Sequence, residues 1–379
     1  MVGSLMSQTW GHSSAAVPRT ARGRRARAEP LSAAPQPYAE GMDWPTLRLP
    51  QRLQETVPSA RALAYRIPMQ TTFRGLTHRE GVLIQGAAGW AEWSPFLEYG
   101  PAEAVTWWRA AAEAATLGLP EPRRSRVEVN CTVPALGPEE AYALVARSGC
   151  RTAKVKVAEP GQSFGEDRDR VEAVREALPD GQVRIDANGA WSVDEAVSHL
   201  ADLASYELEY AEQPCGSTEE LAELRRALAR RGIEVPIAAD ESIRRSGDPE
   251  RVVALEAADL AVIKVQPLGG VRACLELVER LGLPVVVSSA VETSVGIRAG
   301  VALAAALPEL RYACGLNTVP LLATDVALSP LEATDGAIAV ADLVLSEERL
   351  AQVAAPLDRQ EAWQVRLEEL DRHLAEEAA

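Results

Sequence analysis

From about Val127 to Thr318, short apolar runs alternate with amphipathic stretches. The apolar runs are VEVNCTV, TAKVKVA, QVRIDAN, LEYAEQP, PIAADES, DLAVIKV, PVVVSSA and YACGLNT. Between them lie segments with helical spacing, such as PEEAYALVARSG and STEELAELRRALARRG. Two of these helices open on capping boxes, Ser192 with Glu195 and Ser217 with Glu220. Strands alternating with helices predict a parallel sheet, and eight units in so short a span predict a (β/α)8-type barrel. An open doubly wound sheet would be expected to carry a G-x-G-x-x-G turn after its first strand, and none is present.

Outside this span the rhythm changes. Residues 42–124 read as an α+β region: ALAYRIPM, then the hairpin GVLIQG and GWAEWSP, then a helix with Pro101 at its start and Gly118 at its end. Residues 1–41 are rich in Ala, Pro and Arg without apolar periodicity, and are expected to be a disordered tail. Residues 125–320 form the predicted barrel. Residues 321–379, with the charged helix RQEAWQVRLEELDRHLAEEA, are expected to pack back on the N-terminal region.

The ends of the predicted strands carry the chemistry. Lys156, Asp186, Glu212, Asp240 and Lys264 close five successive strands, separated by 24 to 30 residues. In a barrel those ends converge on one mouth. Any one acid there would be read as a turn former or helix cap. Together, three acids flanked by two lysines suit one divalent, oxygen-loving cation. The absence of His and Cys from the set favours Mg2+, with Mn2+ possible, over zinc. Such a cation draws charge from a substrate carboxylate and acidifies the neighbouring carbon. A lysine base must shed its own proton, and a second ammonium nearby helps. In AKVKV, Lys154 and Lys156 share one face of the strand and Val155 and Val157 the other. Lys154 lies about 6.5–7 Å deeper than Lys156, which suits a supporting role.

Composition narrows the partners. A formal net charge of -15 argues against nucleic acid or an anionic membrane surface. The small carboxylate substrate is implied by the metal-site chemistry, not by this charge. Five scattered cysteines without a C-x-x-C pair fit a reducing cytoplasm, and the four histidines lack metal-ligand spacing.

The motifs KVKV, RIDANGAW, YAEQP, AADES, VIKVQPLGG and SSAVETSVG, in that order, resemble those of the enolase superfamily in its muconate-lactonising-enzyme branch. Residues 73–99, FRGLTHREGVLIQGAAGWAEWSPFLEY, are similar to the capping region of the actinobacterial o-succinylbenzoate synthase family. The resemblance implies a modified TIM barrel, (β/α)7β, under an α+β cap. It implies Mg2+ bound by Asp186, Glu212 and Asp240, with lysine chemistry. The implied reaction is syn elimination of water from 2-succinyl-6-hydroxy-2,4-cyclohexadiene-1-carboxylate. Lys156 would be the base and Lys264 the stabilising cation. Ser288 and Ser289 would bind a substrate carboxylate, with Arg184, Asn188 and Gln266 as further pocket candidates. Relatives that racemise N-acylated amino acids use the same two lysines, and a cycloisomerase is a third possibility.

Two further motifs point to other chemistry. GQSFG (161–165) matches the G-x-S-x-G nucleophile elbow, but EP separates it from the strand. PLGGVRA could cradle a phosphate or simply open a helix.

Overall fold

A computed structural model describes residues 46–73, 75–245 and 249–378. The tail predicted over residues 1–41 lies outside them.

The N-terminal layer is an antiparallel sheet of β1 (Arg61–Phe73), β2 (Leu76–Gly86) and β3 (Gly89–Trp93), in that spatial order. Its inner face meets the helix Pro101–Thr116, which buries Trp107 and Trp108. The C-terminal helix Leu357–Glu377 joins the same core through Trp363, Leu367 and Leu370. Trp93 is held edge-on between Trp108 (5.9 Å) and Trp363 (5.4 Å), a geometry aromatic quadrupoles favour. This layer is a cap built from both ends of the described chain.

After β4 (Arg126–Glu128) comes the barrel. Seven parallel strands follow in sequence order: β5 (Cys131–Val133), β6 (Thr152–Lys156), β7 (Gln182–Asp186), β8 (Leu208–Glu212), β9 (Ile237–Ala239), β10 (Leu260–Lys264) and β11 (Val285–Ser288). Cys314 and Gly315 occupy the eighth position. They bridge in parallel to Val129 and to Ser288, closing the ring. The expected (β/α)7β barrel is what the chain forms. Outward residues of these strands, such as Val155, Ile185 and Ile263, pack under the helices as one core.

Two details differ from the sequence reading. The run VEVNCTV is divided: β4 leaves the barrel to pair antiparallel with β12 (Ala337–Ala339), and only β5 joins the parallel sheet. The run YACGLNT contributes two bridging residues rather than a full strand. Both rival motifs are helix starts. Ser163 is the N-cap of the helix Phe164–Ala177, in a capping box with Glu166, so its hydroxyl is committed to backbone. The helix Val271–Leu281 after PLGG receives Glu113 of the cap at its N-terminus, accepting from Val271 N at 2.9 Å. A carboxylate already satisfies that positive helix end. Gly270, at φ +124°, makes room for it: a Cβ there would stand 2.8 Å from Glu113 Oε2. No described helix is long and apolar enough to cross a membrane. All five cysteines are free and buried.

Cap and barrel meet at a buried polar seam. Glu92, on β3, accepts from Tyr65 Oη (2.7 Å), Ser94 Oγ (2.8 Å) and the backbone N of Thr293 (3.1 Å) and Gly296 (3.1 Å). Glu292 accepts from Ala290 N at 2.6 Å. Burial, and then the charge of Glu92, push the Glu292 carboxyl up to about 7. The folded chain therefore holds a proton there that the unfolded chain releases near the ordinary carboxylate range. Stability should fall as pH rises from about 4.5 to about 7, by on the order of 1–3 kcal/mol from this group. Glu292→Gln removes the titration. Denaturant unfolding of both proteins across this window should give a flatter slope for the variant, and equal slopes would refute the assignment.

Candidate active site

The strand ends carry three buried carboxylates and three buried lysines. Register brings them together: Lys156 lies opposite Asp186, and Asp186 opposite Glu212. Asp240 stands one residue beyond β9, and Lys264 ends β10. In an eight-position ring, β6 and β10 are four places apart, so Lys156 and Lys264 rise from opposite walls.

Each carboxylate is met by an ammonium. Lys156 Nζ donates to Asp186 Oδ2 at 2.6 Å and to Asn188 Oδ1 at 2.6 Å. Lys264 Nζ donates to Asp240 Oδ2 at 2.5 Å. Lys154 Nζ spans both oxygens of Glu212 (3.1 and 3.0 Å) and lies 3.3 Å from Asp186 Oδ2. Lys154 and Lys156 thus share one oxygen of Asp186. Burial opposes the charge on Lys154, but Glu212 and Asp186 outweigh it and raise its pKa. Asp186 is likewise held well below the usual carboxylate range: burial works against ionisation, and Lys156 and Lys154 overcome it. Glu212 goes the other way. Burial, and then the charge of Asp186, push it up to about 7.

Above this cluster is a cavity. Lys154, Lys156, Asp186, Asn188 and Lys264 reach it from the barrel, as do Ser288 and Ser289. Glu212 and Asp240 lie beneath its lining. Ser289 Oγ is 2.9 Å from Thr318 Oγ1, and Ser288 Oγ is 3.4 Å from the Gly315 carbonyl. Phe73, Phe96 and Trp107 of the cap form the apolar wall, with the Lys156 ammonium 5.4 Å from the Phe73 ring centroid.

Two pocket candidates lie elsewhere. Arg184 is fully buried under the cavity, where it donates to Ala313 O (2.7 Å), pairs with Glu209 (2.5 Å) and lies over the Tyr210 ring. Its alternation with Asp186 put it on the barrel's inner face, but two residues deeper. Gln266 faces the seam instead, exchanging hydrogen bonds with Ser94 N (3.1 Å) and Ser94 Oγ (3.2 Å). Sequence reasoning also missed Arg244. It lines the cavity and donates to Asp240 Oδ1 (3.1 Å), Glu241 Oε1 (2.5 Å) and Tyr99 Oη (2.9 Å). Its spacing of four from Asp240, in one short helix, was the available signal. The cap aromatics had none, because their approach to the barrel is a tertiary event.

Residues 138–344 match the model of enolase C-terminal domain-like proteins, and residues 64–115 that of enolase N-terminal domain-like proteins. A muconate lactonizing enzyme from Pseudomonas fluorescens has the same fold, with a TM-score of 0.68 over 78% of this chain and 98% of that one, at 22% identity. An N-succinyl Arg/Lys racemase from Bacillus cereus gives 0.66 over 78% and 97%, at 19% identity. Sequence relatives are much nearer. The o-succinylbenzoate synthase of Thermobifida fusca is 62% identical over 80% of this chain and 94% of its own length. That of Mycolicibacterium smegmatis is 54% identical over 78% and 91%. With the ring, the cap and the strand-end cluster all in place, the chain belongs to the o-succinylbenzoate synthase family of the enolase superfamily.

Proposed function

We propose that the chain dehydrates 2-succinyl-6-hydroxy-2,4-cyclohexadiene-1-carboxylate to o-succinylbenzoate, the corresponding step of menaquinone biosynthesis, in the cytoplasm and with Mg2+. The observation that carries this reading is the pair Lys156 and Lys264 on opposite walls of one cavity, above three buried acids.

Asp186, Glu212 and Asp240 would hold the cation. Among the described residues no three acids, histidines or cysteines stand ready-made around one point, because each of these carboxylates is turned on to a lysine. The donor set nevertheless fits: three hard oxygen donors from neighbouring strands, with no nitrogen or sulfur among them. Burial and Asp186 already make the charge on Glu212 unfavourable, which is the condition a divalent cation relieves. When bound, Mg2+ supplies charge neutralisation for the carboxylates and polarises the substrate carboxylate.

The chain's own residues do the rest. Lys156, with its proton shed, takes the ring proton beside the substrate carboxylate. The electrons move toward that carboxylate as an enediolate. Lys264, from the opposite wall, stays protonated and stabilises the negative charge. Lys156 then returns its proton to the hydroxyl on the same face. The C–O bond breaks, water leaves, and the ring becomes aromatic. Lys154, bound to Glu212 and Asp186, adjusts the charge on the carboxylate that grips Lys156. The aromatic wall of the cap excludes water from the ring.

One observation favours a second reading. Two lysines facing one cavity from opposite sides also suit racemisation of N-acylated amino acids, in which one removes the α-proton and the other returns it.

Three outcomes follow. The purified protein with Mg2+ forms o-succinylbenzoate, followed by its absorbance, and excess chelator stops turnover while circular dichroism stays unchanged; an Mg2+-loaded protein that forms no product sinks the dehydratase reading. Lys156→Ala lowers kcat by on the order of 10²–10⁴-fold, and near-native turnover would remove Lys156 from the role of base. In D2O, N-succinyl amino acids followed by NMR exchange their α-proton only if the second reading holds. In that case either Lys156→Ala or Lys264→Ala abolishes racemisation.

A further inference from the structure

One arginine crosses the seam between cap and barrel. Arg79 belongs to β2 and is 3% exposed. Among the described residues it forms no ion pair, and its donors meet carbonyls instead. Nε donates to Val291 O at 3.0 Å and Nη1 to Glu80 O at 2.9 Å. Nη2 donates to the Ser94 carbonyl and to Ser94 Oγ, the latter at 2.9 Å. The guanidinium also lies 4.9 Å from the centroid of Phe96. So one planar group touches a cap wall of the cavity and the backbone of a barrel wall.

The barrel side of this contact is unusual. Val291 has φ +62°, the left-handed region, which is unfavourable for a β-branched residue. Such a conformation persists only where its surroundings hold it. Three things hold it here. Arg79 grips its carbonyl through a charge-assisted hydrogen bond. Its side chain is buried in the apolar cluster that also holds Val295 and Leu321. Glu292 ties back to Ala290 N at 2.6 Å. The stretch so constrained, Ser288 to Val291, lines the cavity.

We propose that Arg79 is a positioning residue for substrate binding: from the cap, it fixes the loop after β11 as a wall of the cavity, and so sets affinity without touching the substrate. This rests on the reading that the cavity binds the carboxylate substrate. Released from Arg79, Val291 relaxes toward negative φ and carries Ser289 and Ala290 with it. Lys156 and Lys264 sit on β6 and β10, two different strands, and keep their places. The loss therefore falls on binding and spares the chemical step.

The test uses Arg79→Gln and Arg79→Lys in the full chain, with Mg2+. The lysine variant keeps a positive charge beside Glu92 and Glu292, so it preserves folding, but one ammonium cannot grip both Val291 and Ser94. In both variants KM should rise about tenfold or more, the usual consequence of losing one charged hydrogen bond. The change in kcat should stay within about threefold. Titration calorimetry with o-succinylbenzoate should show the same rise in Kd. A folded Arg79→Lys protein with wild-type KM and Kd overturns the proposal, as does a fall in kcat alone, which marks a purely structural role. Wild-type protein that binds the product without forming it counts against the dehydratase reading, while its Kd against that of the variants still decides the role of Arg79.

Discussion

Three lysines and three carboxylates share a space largely closed to water, and none of the six is stable there alone. An unpaired buried charge is far more costly than a lost contact. The barrel resolves this by alternation: Lys154 and Lys156 on β6 face Asp186 on β7, Glu212 on β8 reaches back to Lys154, and Asp240 after β9 meets Lys264 on β10. Neighbouring parallel strands in register deliver these short charge pairs from residues far apart in sequence. The helices around the ring, with their boxes and glycine caps, serve to fix that register.

The cap is held by a different kind of contact. Its own core is apolar and aromatic, centred on Trp93, Trp108 and Trp363. Its attachment to the barrel is mixed. Leu63, Tyr65 and Ile67 of β1 share an apolar cluster with Val291 and Val295. Three polar contacts give it direction: Glu92 receives the start of the helix Ser294–Ala306, Glu113 receives the start of Val271–Leu281, and Arg79 grips Val291. Two of these three contacts are carboxylates at helix N-termini, where backbone N–H groups otherwise lack partners. The cavity lies between the two parts, lined by residues of both, so the directional polar contacts and the apolar cluster together fix its walls.

Much of this was legible in the chain. The alternation of apolar runs and helical segments named the ring, and the charged strand ends named the cluster, because both follow from periodicities of two and of one βα unit. The rise of a strand also separated Lys154 from Lys156 by depth. What escaped depended on contacts across the fold. Arg184 shares a face with Asp186, yet one step of two residues takes it from the cavity into a buried cage with Tyr210 and Glu209. Gln266, just past Lys264, turns to the seam because Ser94 of the cap awaits it. Arg244, Phe73, Phe96 and Trp107 enter the site from a short helix and from the cap, and no spacing along the chain announces where the cap settles. The split of VEVNCTV needed β12, more than 200 residues later, to be visible.

The aromatic core of the cap has a consequence for the order in which the molecule can be made. Trp93 and Trp108 are made before the barrel, but Trp363, Leu367 and Leu370 are made only after it. The barrel is contiguous and can assemble while the chain is still growing. The cap cannot complete its core until the helix Leu357–Glu377 has left the ribosome. Phe73, Phe96 and Trp107 belong to that cap, so the water-excluding half of the cavity can be completed only after the barrel beneath it has been made.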